Sequence, residues 1–98
     1  MEIKKKLSEN NLTIEVIGRL DAATASQLEK ELNTSLGSIK TLTLDFKGLE
    51  YIASAGLRVL LVAQKRMNNQ GSMTIKNVSE AVQEVLEMTG FINFLNIE

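Results

Sequence analysis

No cysteine, histidine, proline or tryptophan occurs in this chain, and its aromatic residues are one tyrosine and three phenylalanines. Without cysteine there is no disulfide, no thiolate nucleophile and no zinc-finger spacing. Without histidine the side chain that most often acts as a general base near neutral pH is missing. An excess of one charge is lacking too: 11 basic residues against 12 acidic ones leave a formal charge of −1. That balance sets up no long-range field toward nucleic acid or an anionic membrane. The one basic cluster, Lys4-Lys5-Lys6, falls in a strand-like segment, where it reads as a charged, solvated sheet edge. No stretch approaches the roughly 18 consecutive apolar residues of a membrane span, and MEIKKKLSENN lacks the apolar centre of a secretory leader. The expectation is a cytoplasmic protein with no membrane insertion.

What is present is ordinary globular material. The 98 residues are 44% hydrophobic and 23% charged, without repeats, linkers or low-complexity tracts, which predicts one domain over residues 1–98. Leu12, Ile14 and Val16 alternate with Thr13, Glu15 and Ile17 as in a half-buried strand. The weaker pattern from Ile3 to Leu7 joins it through an Asn-containing turn, as in a hairpin. Asp21 stands where a helix N-cap belongs; Ala25, Leu28, Leu32 and Leu36 follow at helical spacing, and Gly37 offers a stop. Alternation resumes from Thr41 to Phe46. A second helix is predicted from Ser54 to about Met67, ended by the turn Asn68-Asn69-Gln70-Gly71. Met73 and Ile75 mark a short strand, and Ser79 caps a last helix closed by Gly90. The tail FINFLNIE is apolar enough to pack, as one helical turn leading into a short edge strand. The order β-β-α-β-α-β-α predicts an α/β fold, one mixed sheet of four to five strands covered by helices.

The stretch YIASAGLRVLL, residues 51–61, carries the strongest hint of function. Ser54 sits among Ala53, Ala55 and Gly56, so no bulky neighbour shields its hydroxyl. One reading is an N-cap, which serine fills well. Yet Gly56 in the first turn costs a helix about 1 kcal/mol relative to alanine, which suggests that a close backbone approach matters there. A serine nucleophile is excluded: the hydrolase elbow G-x-S-x-G is broken by Ile52, and no histidine can serve as base. A P-loop is absent, although any helix N-terminus can hold an anion. The run Leu57-Arg58-Val59-Leu60-Leu61-Val62-Ala63 has one polar residue in seven. It supplies more apolar surface than one face requires, and both core and partner face remain open. Asp21 and Asp45 each follow a strand-like segment and would gather near Ser54 if the strands run parallel. Asp21 is well explained as a cap, and Asp45 reads equally as a solvated structural residue. Nothing calls for a metal or a cofactor.

GRLDAAT (18–24), LTLDFKGLEYIASAGLRVLL (42–61), the glycine-containing turn NNQGSM and NVSEAVQEVLEMTGF (77–91) follow one another in an order that resembles the STAS domain family. Within that family the chain looks like the free-standing bacterial anti-sigma factor antagonists, over nearly its whole length. The resemblance implies a non-enzymatic phosphoprotein that regulates transcription by partner switching. Ser54 matches the serine that a partner, an anti-sigma factor with serine kinase activity, phosphorylates. The unphosphorylated form captures that kinase, phosphorylation releases it, and a phosphatase resets the cycle. The implied partner face gathers Asp21, Thr24, Ala53, Ser54, Ala55, Gly56, Leu57 and Arg58. At Ala53 and Ala55 the chain departs from the Asp, Ser or Thr often found there, which leaves Ser54 the only hydroxyl of the motif.

A second implication keeps the fold and changes the role. STAS domains also serve as accessory subunits of anion or lipid transport assemblies, where the apolar strip beside Ser54 would dock a transport ATPase or membrane component and the serine would be only a cap. A ligand-sensing role would need a pocket, for which the small-residue loop is the sole hint.

Overall fold

A computed structural model describes residues 1–98 in full. Two strands open the chain, β1 (Glu2–Ser8) and β2 (Asn11–Leu20), paired antiparallel as the expected hairpin. Helix α1 (Ala22–Ser35) crosses to β3 (Thr41–Asp45); β4 (Leu49–Ile52) follows at once, then α2 (Ser54–Asn68), β5 (Ser72–Lys76) and α3 (Glu80–Thr89). A 3₁₀ turn at Phe91–Asn93 leads to a bridge between Ile97 and Ile75, the expected turn and edge contact of the tail. The strand order is β1-β2-β3-β5, with β4 also paired to β2, and every pair except the hairpin is parallel.

The period-2 pattern places the core. Leu12 and Ile14 on β2 align with Leu42 and Leu44 on β3, which align with Met73 and Ile75 on β5. All six are buried. They meet Leu28 and Leu32 from α1 and Leu57, Leu60, Ala63 and Met67 from α2 in one continuous apolar cluster. On the other face Thr13, Thr43 and Thr74 stand in register across the same three strands, only half-buried. Lys4, Lys5 and Lys6 lie on β1, the outer strand, as the charge pattern predicts, and Lys5 pairs with Glu31 of α1.

Strand β4 is the element the sequence pattern does not announce. Leu49 and Ile52 are buried while Glu50 and Tyr51 are both exposed, so no alternation marks it. The cause is a bulge: Gly18 pairs with Leu49 but Arg19 with Tyr51, leaving Glu50 as the extra residue. Gly18 takes a left-handed backbone at φ 107°, which glycine adopts without steric cost, and its N–H donates to the Gly48 carbonyl at 2.9 Å. This kink lets the ten-residue β2 pair with β3 along its first half and with β4 along its second.

One helix end also differs in detail from expectation. Helix α1 stops at Leu36 in a right-handed C-cap, and Gly37 does not supply a left-handed stop. The carbonyls of Leu36 and Ile39 are satisfied from across the fold, each accepting from Gln70 Nε2 at 2.6 and 2.7 Å. Helix α3 behaves as read: Ser79 Oγ accepts from Val82 N–H, and Gly90 closes it at φ 79°.

Candidate functional site

The paired ends of β2 and β4 bring two helix starts together. Leu20 pairs with Ile52, and the Ala53 N–H donates to the Leu20 carbonyl at 2.9 Å. Beyond that bond the chain enters α1 through Asp21 on one side and α2 through Ala53 on the other. Segments 32 residues apart in sequence thus meet at one end of the sheet.

The two starts are built differently. Asp21 caps α1, its Oδ1 accepting from the N–H groups of Ala23 (3.0 Å) and Thr24 (3.1 Å). Thr24 Oγ1 accepts from the Asp21 N–H at 2.9 Å, completing a capping box, and its single proton is shared between the Arg19 carbonyl at 2.7 Å and Asp21 Oδ1 at 3.1 Å. The Thr24 N–H, and next its hydroxyl, hold the Asp21 carboxyl below its ordinary range. Helix α2 has no such cap. Its N-cap is Ala53, whose methyl group can accept no hydrogen bond, and the first intrahelical bond runs from Leu57 N–H to Ala53 carbonyl at 3.1 Å. Ser54 is therefore the first residue of the helix and not its cap, which corrects the N-cap reading of this serine. Its hydroxyl is exposed and bonded to nothing, beside N–H groups without intrahelical partners at the positive end of a 15-residue helix.

Gly56 is where the tight approach occurs. A Cβ there would lie 2.6 Å from Leu20 Cγ and 2.9 Å from Leu20 Cδ2. The glycine lets α2 start directly against the end of β2, and so fixes where Ser54 stands. Leu57, 2% exposed, anchors the same turn in the core. Gly56 and Leu57 lie behind the surface, and of the implied partner face Asp21, Thr24, Ala53, Ser54, Ala55 and Arg58 are left with solvent access.

Asp45 lies elsewhere. It aligns with Glu15 on β2, five residues before Leu20, roughly 16 Å back along the strand. Burial would raise its carboxyl, but the Asn77 amide (3.0 Å), the Lys47 N–H (3.0 Å) and the charges of Lys76 and Lys47 outweigh that and leave it lowered. Asp45 ties the β3–β4 turn to the end of β5 and does not join Asp21.

The apolar run of α2 is mostly core. Val59 and Ala63 are buried, and Val62 alone stands out at 61% exposure. Between α1 and α2 runs an open groove of about 290 Å³, lined by Ala25, Ala55, Val59 and Val62, with Glu29 from α1 and Arg58 from α2. At the paired ends of β2 and β4 the Arg19 guanidinium stacks on the Tyr51 ring at 4.2 Å. The Arg19–Tyr51 pair has no signal in the sequence, because the two residues become neighbours only through β4.

The STAS domain family model matches residues 2–98. The chain belongs to the STAS domain family. It is 35% identical over 82 residues to BtrV of Bordetella bronchiseptica, named as an anti-sigma factor antagonist, covering 82% of this chain and 71% of that one. It is 26% identical to the anti-sigma-B factor antagonist of Bacillus subtilis, over 99% of this chain and 90% of the relative. Among solved structures, the anti-sigma factor antagonist SpoIIAA in its unphosphorylated form superposes with a TM-score of 0.83 at 19% identity, covering 99% of this chain and 88% of that one. The phosphorylated form of SpoIIAA gives 0.76 at 18% identity, over 99% and 91%. A sulfate transporter family protein from Wolinella succinogenes gives 0.77 at 22% identity, over 94% and 76%. The STAS fold is thus shared by regulators and transporter-family proteins, and the fold alone does not choose between them.

Proposed function

We propose that this STAS domain is a cytoplasmic anti-sigma factor antagonist, without enzymatic activity of its own, that switches partners through phosphorylation of Ser54. Its partners are an anti-sigma factor with serine kinase activity and a phosphatase that reverses the modification. The observation that carries this reading is the Ser54 hydroxyl: exposed, unbonded and flanked by Ala53 and Ala55 on the first residue of an uncapped helix. A kinase can reach such a hydroxyl without unfolding anything. Both sequence relatives named above are anti-sigma factor antagonists, which supports this role over that of a transport subunit.

The physics of the switch is local. A phosphate adds about −1.5 to −2 charges at neutral pH. At the N-terminus of α2 that charge meets a favourable dipole, so the domain keeps its fold. Facing a partner carboxylate about 6 Å away, at an effective dielectric of 20–80, it opposes binding by about 1–5 kcal/mol. That is about tenfold to several-thousand-fold in affinity, enough for release.

Affinity capture from lysate of the source organism tests the proposal, with wild type, Ser54→Ala and Ser54→Asp as baits. A kinase-like ATPase retained by wild type and Ser54→Ala but lost or weakened with Ser54→Asp is the expected result. Equal retention by all three, or a transport ATPase on each bait, would reject the switch and favour the accessory-subunit role.

A further inference from the structure

Arg58 is an unattached cation one helical turn beyond Ser54. Both residues are exposed on α2, four positions apart and about 6 Å along the axis, the spacing at which helical side chains meet. The chain has one ion pair, between Lys5 and Glu31, and one cation–π contact, between Arg19 and Tyr51. Arg58 takes part in neither. Glu29 lines the same α1–α2 groove without pairing with it. No acidic residue occupies the first turn of α2, and the other basic residues of this helix, Lys65 and Arg66, belong to its last turn, roughly 16 Å or more from Ser54.

We propose that Arg58 is the intramolecular counter-ion of phosphorylated Ser54, and that modification draws its guanidinium from the groove onto the phosphate. This role rests on Ser54 being the phosphoacceptor. An anion at position i with a cation at i+4 is the favourable order on a helix, since each charge then lies toward the helix end that stabilises it. A guanidinium can also engage two phosphate oxygens at once, which an ammonium group cannot match. Phosphorylation then changes two features of the surface together. It adds negative charge at Ser54, and it withdraws the positive charge that Arg58 offers at the groove in the unmodified form. A partner carboxylate held by free Arg58 loses its cation in the same event that gives it a phosphate to repel.

Phosphorus NMR of the intact domain, with phosphoserine installed at position 54 during translation, measures this directly. The guanidinium favours the phosphate dianion, so it lowers the second phosphate pKa from its usual value near 6. In wild type that pKa is expected about 0.2–0.4 units below that of Arg58→Ala. Arg58→Lys should retain part of the shift. Arg66→Ala, which removes the same charge farther along the helix, should titrate as wild type does. Coincident titrations of wild type and Arg58→Ala would overturn the proposal. So would an equal displacement by Arg66→Ala, which would make the effect a general field. No kinase enters this experiment, so a flat result removes Arg58 from the switch and leaves the Ser54 reading to the capture experiment.

Discussion

The Thr24 hydroxyl accepts the Asp21 N–H and donates to the Arg19 carbonyl, so one small side chain closes α1 and fastens it to the end of β2. Thr24→Val keeps the shape and removes both bonds, and should cost about 1 kcal/mol in urea unfolding near neutral pH. Part of that cost follows pH. Asp21 has a lowered carboxyl in the folded chain, chiefly through the Thr24 N–H and hydroxyl. Its stabilisation is therefore full above the ordinary carboxylate value and disappears as pH falls through the lowered one. The gap between wild type and Thr24→Val should narrow as pH falls through the lowered Asp21 value. The Asp21 titration should move upward in the variant, and a gap unchanged by acid would show that Asp21 is not involved. At this scale much was legible in the sequence: Asp21, Ser79 and Gly90 do the capping their residue types imply. Ser54 was legible as a position and misleading as a cap, because serine is an equally good residue before a helix and at its first turn. Only the backbone could decide between them.

Elements show a different limit. Alternation exposed β2, β3 and β5 because each has one buried face; β4 escaped because its bulge breaks the period within four residues. With β4 hidden, the pairing of Leu20 with Ile52 was hidden too, and the approach of Asp21 to Ser54 was readable only on the condition of parallel strands or through the family resemblance. The Gln70 contacts to Leu36 and Ile39 span more than 30 residues and leave no local pattern at all. The glycine in the first turn of α2 was readable as a close approach, and the structure names its partner as Leu20. An exposed helical glycine replaced by alanine gains about 1 kcal/mol. Gly56→Ala should instead lose about 1–3 kcal/mol, because Leu20 is fully buried and has little room to yield. If the Leu20 contact is the cause, Gly56→Ala should cost markedly less in a Leu20→Ala background. Additive losses in that double-mutant cycle would place the strain elsewhere.

At the scale of the whole molecule, one apolar cluster unites both large helices with the sheet, and the Ser54 surface lies outside it. The core and the proposed switch should therefore be separable. Leu28→Ala, at a residue with no solvent exposure, should cost about 2–5 kcal/mol. Ser54→Asp should move stability by no more than about 0.5 kcal/mol and leave the urea m-value unchanged. A changed m-value would mean that charge at Ser54 reaches the core, and a rigid switch would be ruled out. The two borders of the sheet carry one more consequence. The outer strand bears three consecutive lysines, and the far strand is partly covered by the bridge to Ile97. Like charges meeting along one border, and a short covered ladder on the other, both discourage strand-to-strand polymerisation between copies. These two borders let copies of the domain crowd together without fibre growth.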